Sequence, residues 1–323
     1  MSDPLELLAV GDVDIDIYLG VPRMPTFGEK VRGQHLGLRP GGVAANVAVA
    51  AHRLGLRAGV HGVVGDDEHG RLTRTSLEAE GVDLRSLVVD PTVTTFLCVV
   101  HLDDSGEKAL TLADTGCLFP TRGQLDVQAL RTSERVHVAP FALDNAAVAL
   151  DLAKAAGART SIDLEPGSIG RGFPDIEPLL ELVDVCFVNH HAAALLAPEG
   201  DLHVALAELH ARGPELVVLT RGPDGAIVSR GGEAVHVPGI DIEVVDSTGA
   251  GDAFCAAFLT ALHRGNDPLV AAEAAVVAGA LACRGVGAQT AAPTRDQLDA
   301  ALTDHRSRRR HDAPDPTNAM EMP

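Results

Sequence analysis

Short apolar runs alternate with amphipathic segments along most of the chain. Residues 5–11 form an apolar run that ends in glycine, which predicts a buried first strand. Two glycines at 41 and 42 open an Ala/Val-rich helix that is predicted to reach about residue 54, where Gly55 ends it. Further strands are predicted at 60–64, 136–140, 159–163, 183–188 and 216–220, and further helices at 68–80, 144–156 and 202–212. This alternation predicts an α/β fold in which helices cover a mostly parallel sheet, as a three-layer α/β/α sandwich.

Two segments depart from this alternation, at about 14–38 and 92–113. Both are β-prone, and the second contains a turn at 103–106. Together they predict a small separate β-sheet over one edge of the main domain, which we interpret as a lid. An extension of the core or a dimer contact is the alternative. The stretch 306–323 is polar and aperiodic, so we expect a flexible C-terminal tail after a domain at 1–305.

Charge excludes several functions. The chain has 26 Lys+Arg against 45 Asp+Glu and a formal net charge of −19, so strong binding to nucleic acid or to an anionic membrane is not expected. None of the three lysines, Lys30, Lys108 and Lys154, stands in a P-loop motif. Phosphate chemistry in this chain would therefore depend on backbone amides, arginine or a bound cation.

The cysteines and the N-terminus indicate a cytoplasmic protein. The five cysteines are widely spaced and form no C-x-x-C pair, so neither a zinc site nor a disulfide framework is predicted. The first residues have no signal-peptide pattern, and the apolar stretch at 271–283 is too short to span a bilayer.

The segment V-V-D-S-T-G-A-G-D-A-F at 244–254 carries the strongest chemical signal. Its small residues let the backbone approach a ligand, and the N–H groups of the first helical turn would form an anion site. Asp252 could accept a proton from a hydroxyl group that attacks a phosphoryl group held by those amides. The alternative is an ordinary aspartate that caps the helix.

Two segments near the N-terminus suit a polyhydroxy ligand. In G-D-V-D-I-D at 11–16, alternate carboxylates fall on one face because side chains of a strand have a period of two. Such a row could bind a divalent cation or sugar hydroxyls, and an exposed polar strand face is the alternative. In P-G-G-V-A-A-N at 40–46, two glycines expose amides at a helix start and Asn46 follows one turn later. The alternative there is a simple glycine-containing turn.

These motifs resemble those of the ribokinase-like (PfkB) carbohydrate kinases. The resemblance rests on G-G-x-x-x-N at 41–46 and D-S-T-G-A-G-D-A-F at 246–254. P-T-F-G-E at 25–29 is similar to the family's P-x-x-G-E turn, and G-D-D-E-H-G at 65–70 to its G-x-D-x-x-G. The resemblance covers about residues 5–304. It implies a ribokinase-like fold with a β-sheet lid and ATP-dependent phosphorylation of a hydroxyl on a sugar or sugar-like compound.

The resemblance also implies roles for individual residues. Asp252 matches the catalytic base, and the anion hole is implied to consist of the amides of Gly249, Ala250 and Gly251. The implied sugar-binding residues are Asp14, Asp16, Gly41, Gly42 and Asn46. The implied ATP contacts are Asn189, Thr220, Gly222, Asp224 and Gly225. A monovalent cation such as K⁺ is implied at Asp246 and Thr248 with carbonyls near Ala282, Gly285 and Gly287, and Mg²⁺ is implied to accompany ATP.

Three positions depart from the family pattern. Ala192 stands where the motif N-x-x-E has the glutamate that helps to organise Mg²⁺ and phosphate, and the adjacent His190 and His191 are expected to diverge and not to replace it. Asp14 and Val43 replace the Asn and Lys of ribokinases proper, which argues against ribose itself as the substrate.

The substrate class stays open between alternatives. A pocket with Asp14 and Asp16 and no nearby lysine favours a small unphosphorylated sugar. A nucleoside kinase of the same family is the second possibility, and a catalytically weak sugar- or nucleotide-sensing homologue, suggested by Ala192, is the third. We also expect a homodimer that forms through the lid.

Overall fold

The computed structural model describes residues 3–103, 108–113, 115–197 and 200–312. A large sheet of mostly parallel strands forms its centre. The strands are β1 (Leu7–Val10), β2 (Asp14–Gly20), β3 (Gln34–Gly41), β4 (Ala58–His61), β5 (Val63–Gly65), β6 (Val88–Asp90), β7 (Leu97–Leu102), β8 (Lys108–Ala113), β9 (Arg135–Val138), β10 (Arg159–Leu164), β11 (Val185–Asn189), β12 (Leu216–Thr220), β13 (Ala226–Arg230) and β14 (Glu233–Val237). The helices are α1 (Val43–Arg53), α2 (Glu68–Ala79), α3 (Val127–Thr132), α4 (Leu143–Ala155), α5 (Phe173–Leu180), α6 (His190–Leu196), α7 (Leu202–His210), α8 (Ala250–His263), α9 (Pro268–Ala282) and α10 (Arg295–Asp312).

The main sheet has eight strands in the order β14-β13-β12-β11-β10-β9-β1-β4. The strands from β12 to β4 pair in parallel, and β13 and β14 continue the sheet as antiparallel strands at one edge. The carboxyl ends of the parallel strands therefore open on a common edge, which is where ligands bind in folds of this class. The prediction of a mostly parallel α/β sheet is confirmed.

Helices cover both faces of this sheet. In β11, Val185 and Phe187 pack into a core with α1, α8 and α9, whereas Cys186 and Val188 pack into a second core with α4 to α7. This division follows from the two-residue period of a strand that is buried on both sides. The three-layer α/β/α arrangement predicted from the sequence is confirmed.

A separate four-stranded sheet, which we call the lid sheet, has the order β3-β2-β7-β8. It combines the two segments that the sequence set apart, with β2 antiparallel to β3 and parallel to β7. The segment predicted to end at about 38 continues to Gly41 in β3, and the segment predicted from 92 begins its first strand, β7, only at Leu97. The predicted turn at 103–106 falls mostly outside the described residues.

The C-terminal helix is longer than predicted. We expected a tail from residue 306, but α10 continues to Asp312, so this boundary was wrong for residues 306–312. Arg306 donates from Nη2 to Glu273 Oε2 on α9 at 2.7 Å, a tertiary contact that no local pattern indicates. Residues 313–323 lie outside the described part of the chain. No helix within the described ranges is long and apolar enough to cross a membrane.

Candidate active site

Polar residues meet at the carboxyl edge of the main sheet; Asp12, Asn189 and Thr220 were singled out in the sequence, and Glu165 was not. Asp12 follows β1, Glu165 follows β10, and Asn189 and Thr220 end β11 and β12 as direct neighbours in the sheet. The lid sheet closes one side of this cleft, because Tyr18, together with its lid neighbours, packs against the loop that contains Val286. Sequence segments more than 200 residues apart therefore line one cleft.

Asp252 lies in the first turn of α8 and is held by a chain of amides. Asn46 Nδ2 donates to Asp252 Oδ2 at 2.7 Å, and Gln289 Nε2 donates to Asn46 Oδ1 at 2.9 Å. The residue that begins α8 is Gly249, with no side-chain cap, and the Asp252 side chain bonds to Asn46 and not to the helix. This geometry disfavours the capping alternative. Gln289 fixes the orientation of Asn46, but it belongs to no motif that would have identified it from the sequence.

The environment of Asp252 favours the protonated carboxyl. Its side chain is 9% exposed, and burial, followed by the charges of Glu165, Asp163 and Asp12, raises its pKa well above the ordinary value. The hydrogen bond from Asn46 acts in the opposite direction and lowers the pKa. A carboxylate with a raised pKa in a cleft is a stronger base toward the proton of a hydroxyl group than an exposed carboxylate is.

This balance predicts a pH effect for Asn46→Ala. Turnover that needs ionised Asp252 falls as the pH drops through its pKa. Removing the hydrogen bond that stabilises the charged form raises that pKa, so we expect the acid limb of kcat/KM to move to higher pH. Asn266→Ala, at a surface turn, is the control and should leave the limb in place. A limb that stays fixed or moves to lower pH in Asn46→Ala would contradict the assignment.

Backbone amides at the start of α8 face open space. Gly249 has φ +79°, and a Cβ there would lie 2.6 Å from Ala288 Cα, so only glycine fits. A Cβ on Gly251 would meet no atom within 4 Å. The Ala250 N–H donates to Ser247 O at 3.3 Å, whereas those of Gly251 and Asp252 have no acceptor within the described residues. The sequence-based prediction assigned the anion hole to Gly249–Gly251 and did not include the N–H group of Asp252.

Buried polar side chains lie together between the lid sheet and α1, at the position where a sugar pocket was predicted. Asp14 pairs with Gly41 across β2 and β3, and a Cβ on Gly41 would overlap Asp14 Oδ1 and lie 2.6 Å from Asp16 Oδ2. Asp14 is 4% exposed, and its Oδ1 has no partner within the described residues. Gly42 has φ +96° and begins α1 beside the backbone of Asp12. An unpartnered buried acceptor of this kind suits a ligand hydroxyl that donates a hydrogen bond.

The carboxylates of Asp12, Asp14 and Asp16 do not form one row on a single face. Asp12 turns away and accepts from the Val43 N–H at 3.1 Å, which fixes the start of α1. Only Asp14 and Asp16 face the pocket beside Gly41. Burial raises the pKa of Asp12 to about 7 and that of Asp16 to about 6. The expectation of one continuous acidic face was therefore wrong for Asp12, because the chain leaves the extended conformation between β1 and β2.

Lysine is present in this cleft, contrary to our expectation. Lys108 begins β8, and its ammonium group lowers the pKa of Asp16 and opposes the rise in the pKa of Glu165. Asp16 lies on the lid sheet and Glu165 at the end of β10, so the charge of Lys108 acts on carboxylates of both sheets. The sequence could not show this, because Lys108 is more than 50 residues from either partner.

The predicted ATP contacts lie on adjacent strands and one loop. Asn189 pairs with Thr220, and the Arg221 N–H donates to Gly225 O at 2.8 Å to close the loop that contains Gly222 and Asp224. Gly225 has φ +85°, and a Cβ there would lie 2.6 Å from Pro238 C. Asn189 Oδ1 accepts from the Ala192 N–H at 2.9 Å and so caps α6.

The adjacent histidines of α6 do not diverge. The rings of His190 and His191 lie 3.9 Å apart between their centroids, so the expectation from helix geometry was wrong. Within the described ranges, no group of three or more His, Cys, Asp or Glu side chains could hold a metal ion by itself.

Hydrogen bonds of Asp246 connect the two segments that were predicted to hold a monovalent cation. Its Oδ1 accepts from the Thr248 N–H at 2.9 Å, and its Oδ2 accepts from the Gly287 N–H at 2.8 Å. The Asp246 N–H donates to Cys283 O at 3.2 Å, beside Ala282 and Gly285. The structure thus brings these five predicted positions together beside the start of α8.

The fold and the cleft together define a kinase of the ribokinase-like class. A model of the pfkB family of carbohydrate kinases matches residues 5–295, and the chain belongs to that family. It is similar to the ATP-dependent ribose-1-phosphate kinase of Halopiger xanaduensis, with 34% identity over 93% of this chain and 99% of the relative. The protein is therefore a sugar or nucleoside kinase of the pfkB family.

Solved structures agree with this family assignment. The ribokinase of Arabidopsis thaliana, in complex with ribose and ATP, has 26% identity and a TM-score of 0.80, covering 94% of this chain and 99% of that one. A double mutant of the Vibrio cholerae fructokinase, bound to fructose, ADP and potassium ion, has 28% identity and a TM-score of 0.77, covering 94% and 100%.

Proposed function

We propose that this protein transfers the γ-phosphoryl group of ATP to a hydroxyl group of a small sugar. The observation that carries the proposal is the position of Asp252, a buried carboxylate in the first turn of α8 beside the unpaired amides. It accepts a hydrogen bond from Asn46 on α1, and the start of α1 adjoins Asp14 and Asp16. ATP would lie along Asn189, Thr220 and the loop of Gly222, Asp224 and Gly225, and its γ-phosphoryl group at the amides. Asp252 would then face both reacting groups.

The proposed step moves one proton and exchanges one P–O bond. The acceptor hydroxyl gives its proton to Asp252, its oxygen forms a bond to Pγ, and the bond from Pγ to the bridging oxygen of ADP breaks. The amides of Gly251 and Asp252 stabilise the charge on the transferring group. Asn46 holds Asp252 in place, and Asp14 and Asp16 orient the sugar through its other hydroxyls. Mg²⁺ would supply charge neutralisation on the phosphates of ATP.

A monovalent cation is proposed at Asp246. Thr248 and the carbonyls near Ala282, Gly285 and Gly287 would complete the site, and the cation would support the loop that precedes α8. The likeness to a fructokinase solved with potassium ion supports K⁺ as the species.

The acceptor is proposed to be unphosphorylated, because Asp14 and Asp16 dominate the pocket. A phosphorylated sugar is a second candidate, favoured by Lys108 and by the similarity to a ribose-1-phosphate kinase. A panel of sugars, sugar phosphates and nucleosides, assayed by ADP release, tests the proposal. Turnover with nucleosides alone would show that the protein is a nucleoside kinase and not a sugar kinase. Ligand binding without any turnover would show that it is a sensing homologue.

Lys108→Met separates the two acceptor classes. A charged hydrogen bond to a phosphate is worth about 1.5–3 kcal/mol, so we expect kcat/KM for a sugar phosphate to fall by about 10–100-fold. For a neutral sugar the change should stay within about threefold. Lys30→Met is the matched control, because Lys30 is an exposed lysine of the same region. An equal loss with both kinds of acceptor would contradict a role in phosphate recognition.

A homodimer through the lid sheet is supported by two apolar side chains. Leu110 and Leu112 on the edge strand β8 are each 51% exposed. We expect light scattering to give twice the chain mass of 33.5 kDa, and the double change Leu110→Ser and Leu112→Ser to give the monomer. Leu195→Ser on α6, which is 66% exposed, is the control and should stay dimeric. A monomeric wild-type protein would refute the proposal. The absence of nucleic-acid binding and the cytoplasmic location stay predictions from the sequence.

A further inference from the structure

Gln289 is the far end of a chain of three buried polar side chains that leads to the proposed catalytic base. Gln289 is 8% exposed, Asn46 7% and Asp252 9%. Gln289 Nε2 donates to Asn46 Oδ1 at 2.9 Å, and Asn46 Nδ2 donates to Asp252 Oδ2 at 2.7 Å. The three residues come from the loop after α9, from α1 and from α8, so the fold alone brings them together.

The chemistry of the two ends sets the direction of this chain. An ionised carboxylate only accepts hydrogen bonds, so Asn46 must turn its Nδ2 to an ionised Asp252. The Asn46 Oδ1 then points to Gln289, whose side-chain amide supplies a donor. If the Asn46 amide rotated by half a turn, its oxygen would face Asp252, and only a protonated carboxyl can donate to that oxygen. The orientation of Asn46 therefore favours one protonation state of Asp252.

Gln289 is itself held by the helix that carries Asn46. Arg53, two turns after Asn46 on α1, donates from Nη1 to the carbonyl oxygens of Gln289 and Ala292. Its Nε and Nη2 donate to the two carboxylate oxygens of Glu80 at 2.8 and 2.7 Å. A guanidinium with partners on both sides has little freedom to move. Helix α1 thus fixes both the backbone of Gln289 and the partner of its side chain.

The two residues before Gln289 join the same loop to the start of α8. The Gly287 N–H donates to Asp246 Oδ2 at 2.8 Å, and a Cβ on Gly249 would lie 2.6 Å from Ala288 Cα. The loop is therefore packed against the residue that begins α8. This packing sets the position of the Gln289 amide relative to the helix that carries the base.

We propose that Gln289 is a positioning residue for phosphoryl transfer, which holds the Asn46 amide in the orientation that leaves Asp252 able to accept a proton. The inference rests on the proposed function. Gln289 acts through Asn46 and is assigned no contact with the sugar or with ATP. The alternative is a buried polar contact that stabilises the fold and leaves the base unaffected.

Gln289→Met tests this role, because it removes the donor and keeps a side chain of similar length. The Asn46 amide can then rotate, so we expect the acid limb of kcat/KM to move to higher pH. On that limb kcat/KM should be about 2–10-fold lower, whereas on the plateau at higher pH it should stay within about threefold of wild type. Gln289→Glu keeps the shape but cannot donate when ionised, and it should move the limb in the same direction.

The matched control is Gln297→Met. Gln297 is an exposed glutamine near the start of α10, where its Oε1 accepts from the Thr294 N–H at 2.8 Å. This change should leave the acid limb in place. An unmoved limb in both Gln289→Met and Gln289→Glu overturns the inference. An equal fractional loss of kcat/KM at every pH also overturns it, because that is the result of a merely structural role.

A double variant shows whether the effect passes through Asn46. In the Asn46→Ala protein the amide that Gln289 holds is absent, so adding Gln289→Met should not move the limb further. If Gln289→Met moved the limb by the same amount with and without Asn46, the two residues would act independently and the inference would be lost.

A titration that needs no turnover separates this inference from the proposed function. In protein labelled with ¹³C at the aspartate carboxyl carbon, the resonance of Asp252 is the one missing in Asp252→Asn. We expect Gln289→Met to raise the pKa that this resonance reports, and an unchanged pKa overturns the inference. The other charged groups that act on Asp252 are Asp12 after β1 and Asp163 and Glu165 at the end of β10, and these variants alter none of them. Wild-type protein that phosphorylates no sugar, sugar phosphate or nucleoside would refute the proposed function, and the titration would still decide the effect of Gln289 on Asp252.

Discussion

Asp252→Asn should lower kcat by about 10³–10⁴-fold while it leaves the affinity for ATP within about threefold of wild type. An amide of the same shape cannot accept the proton of the attacking hydroxyl, and general-base catalysis is worth up to about 10⁴-fold. Asn46 and Gln289 remain in place beside the substituted side chain, so the geometry of the cleft is retained. Steady-state ADP release and isothermal titration with an ATP analogue measure the two quantities.

The control for this variant is another aspartate at a helix start. Asp267 caps α9, where its Oδ1 accepts from the Leu269 N–H at 2.8 Å. Asp267→Asn should leave kcat unchanged and cost at most about 1 kcal/mol of stability, because Asn is also a good cap. If Asp252→Asn behaved in the same way, with near-native turnover, Asp252 would be a structural residue and the proposed mechanism would be lost.

Gly249→Ala should combine a loss of stability with a loss of turnover. The residue has φ +79°, and the new Cβ would press on the backbone of Ala288. Backbone strain together with this overlap should lower the free energy of unfolding by about 2–4 kcal/mol. The start of α8 would move with it, and misplaced amides at a phosphoryl site cost about 10²–10³-fold in kcat. Urea unfolding and ADP release test the two parts.

Substitutions at two other glycines distinguish the effect of backbone strain from the effect of a methyl group at the proposed phosphoryl site. Gly157 has φ +90°, but a Cβ there meets nothing within 4 Å, so Gly157→Ala should cost about 1 kcal/mol and no activity. Gly251→Ala, also in open space, should fold normally and lose turnover because its methyl group would enter the volume proposed for the phosphoryl group. Full activity in both Gly249→Ala and Gly251→Ala would contradict an anion site at the start of α8.

Local sequence patterns were sufficient to predict the fold and the residues at the centre of the cleft. The alternation of apolar and amphipathic segments predicts the parallel sheet, because a strand that is buried on both faces is a continuous apolar run in the sequence. The small residues around Asp252 predict an anion site, since a helix start exposes its amides wherever it occurs. Scarcity of lysine excludes a P-loop. It does not exclude a kinase, because backbone amides can bind the phosphates.

Contacts between distant segments could not be predicted in this way. The period of a strand gives the face on which a side chain lies, but only the order of the strands sets Asn189 beside Thr220. The same holds for Lys108, whose charge acts on Asp16 because β8 and β2 belong to the same lid sheet.

The sequence by itself determined the central parallel strands, the three layers and the residue types of the cleft, because these depend on neighbours along the chain. The tertiary structure alone decided that Asp12 holds α1, that Gln289 orients Asn46 and that α10 continues past Arg306. Each of these depends on a hydrogen bond between segments at least 30 residues apart. The free energy of such a bond depends on three-dimensional distance and burial, which no local pattern records.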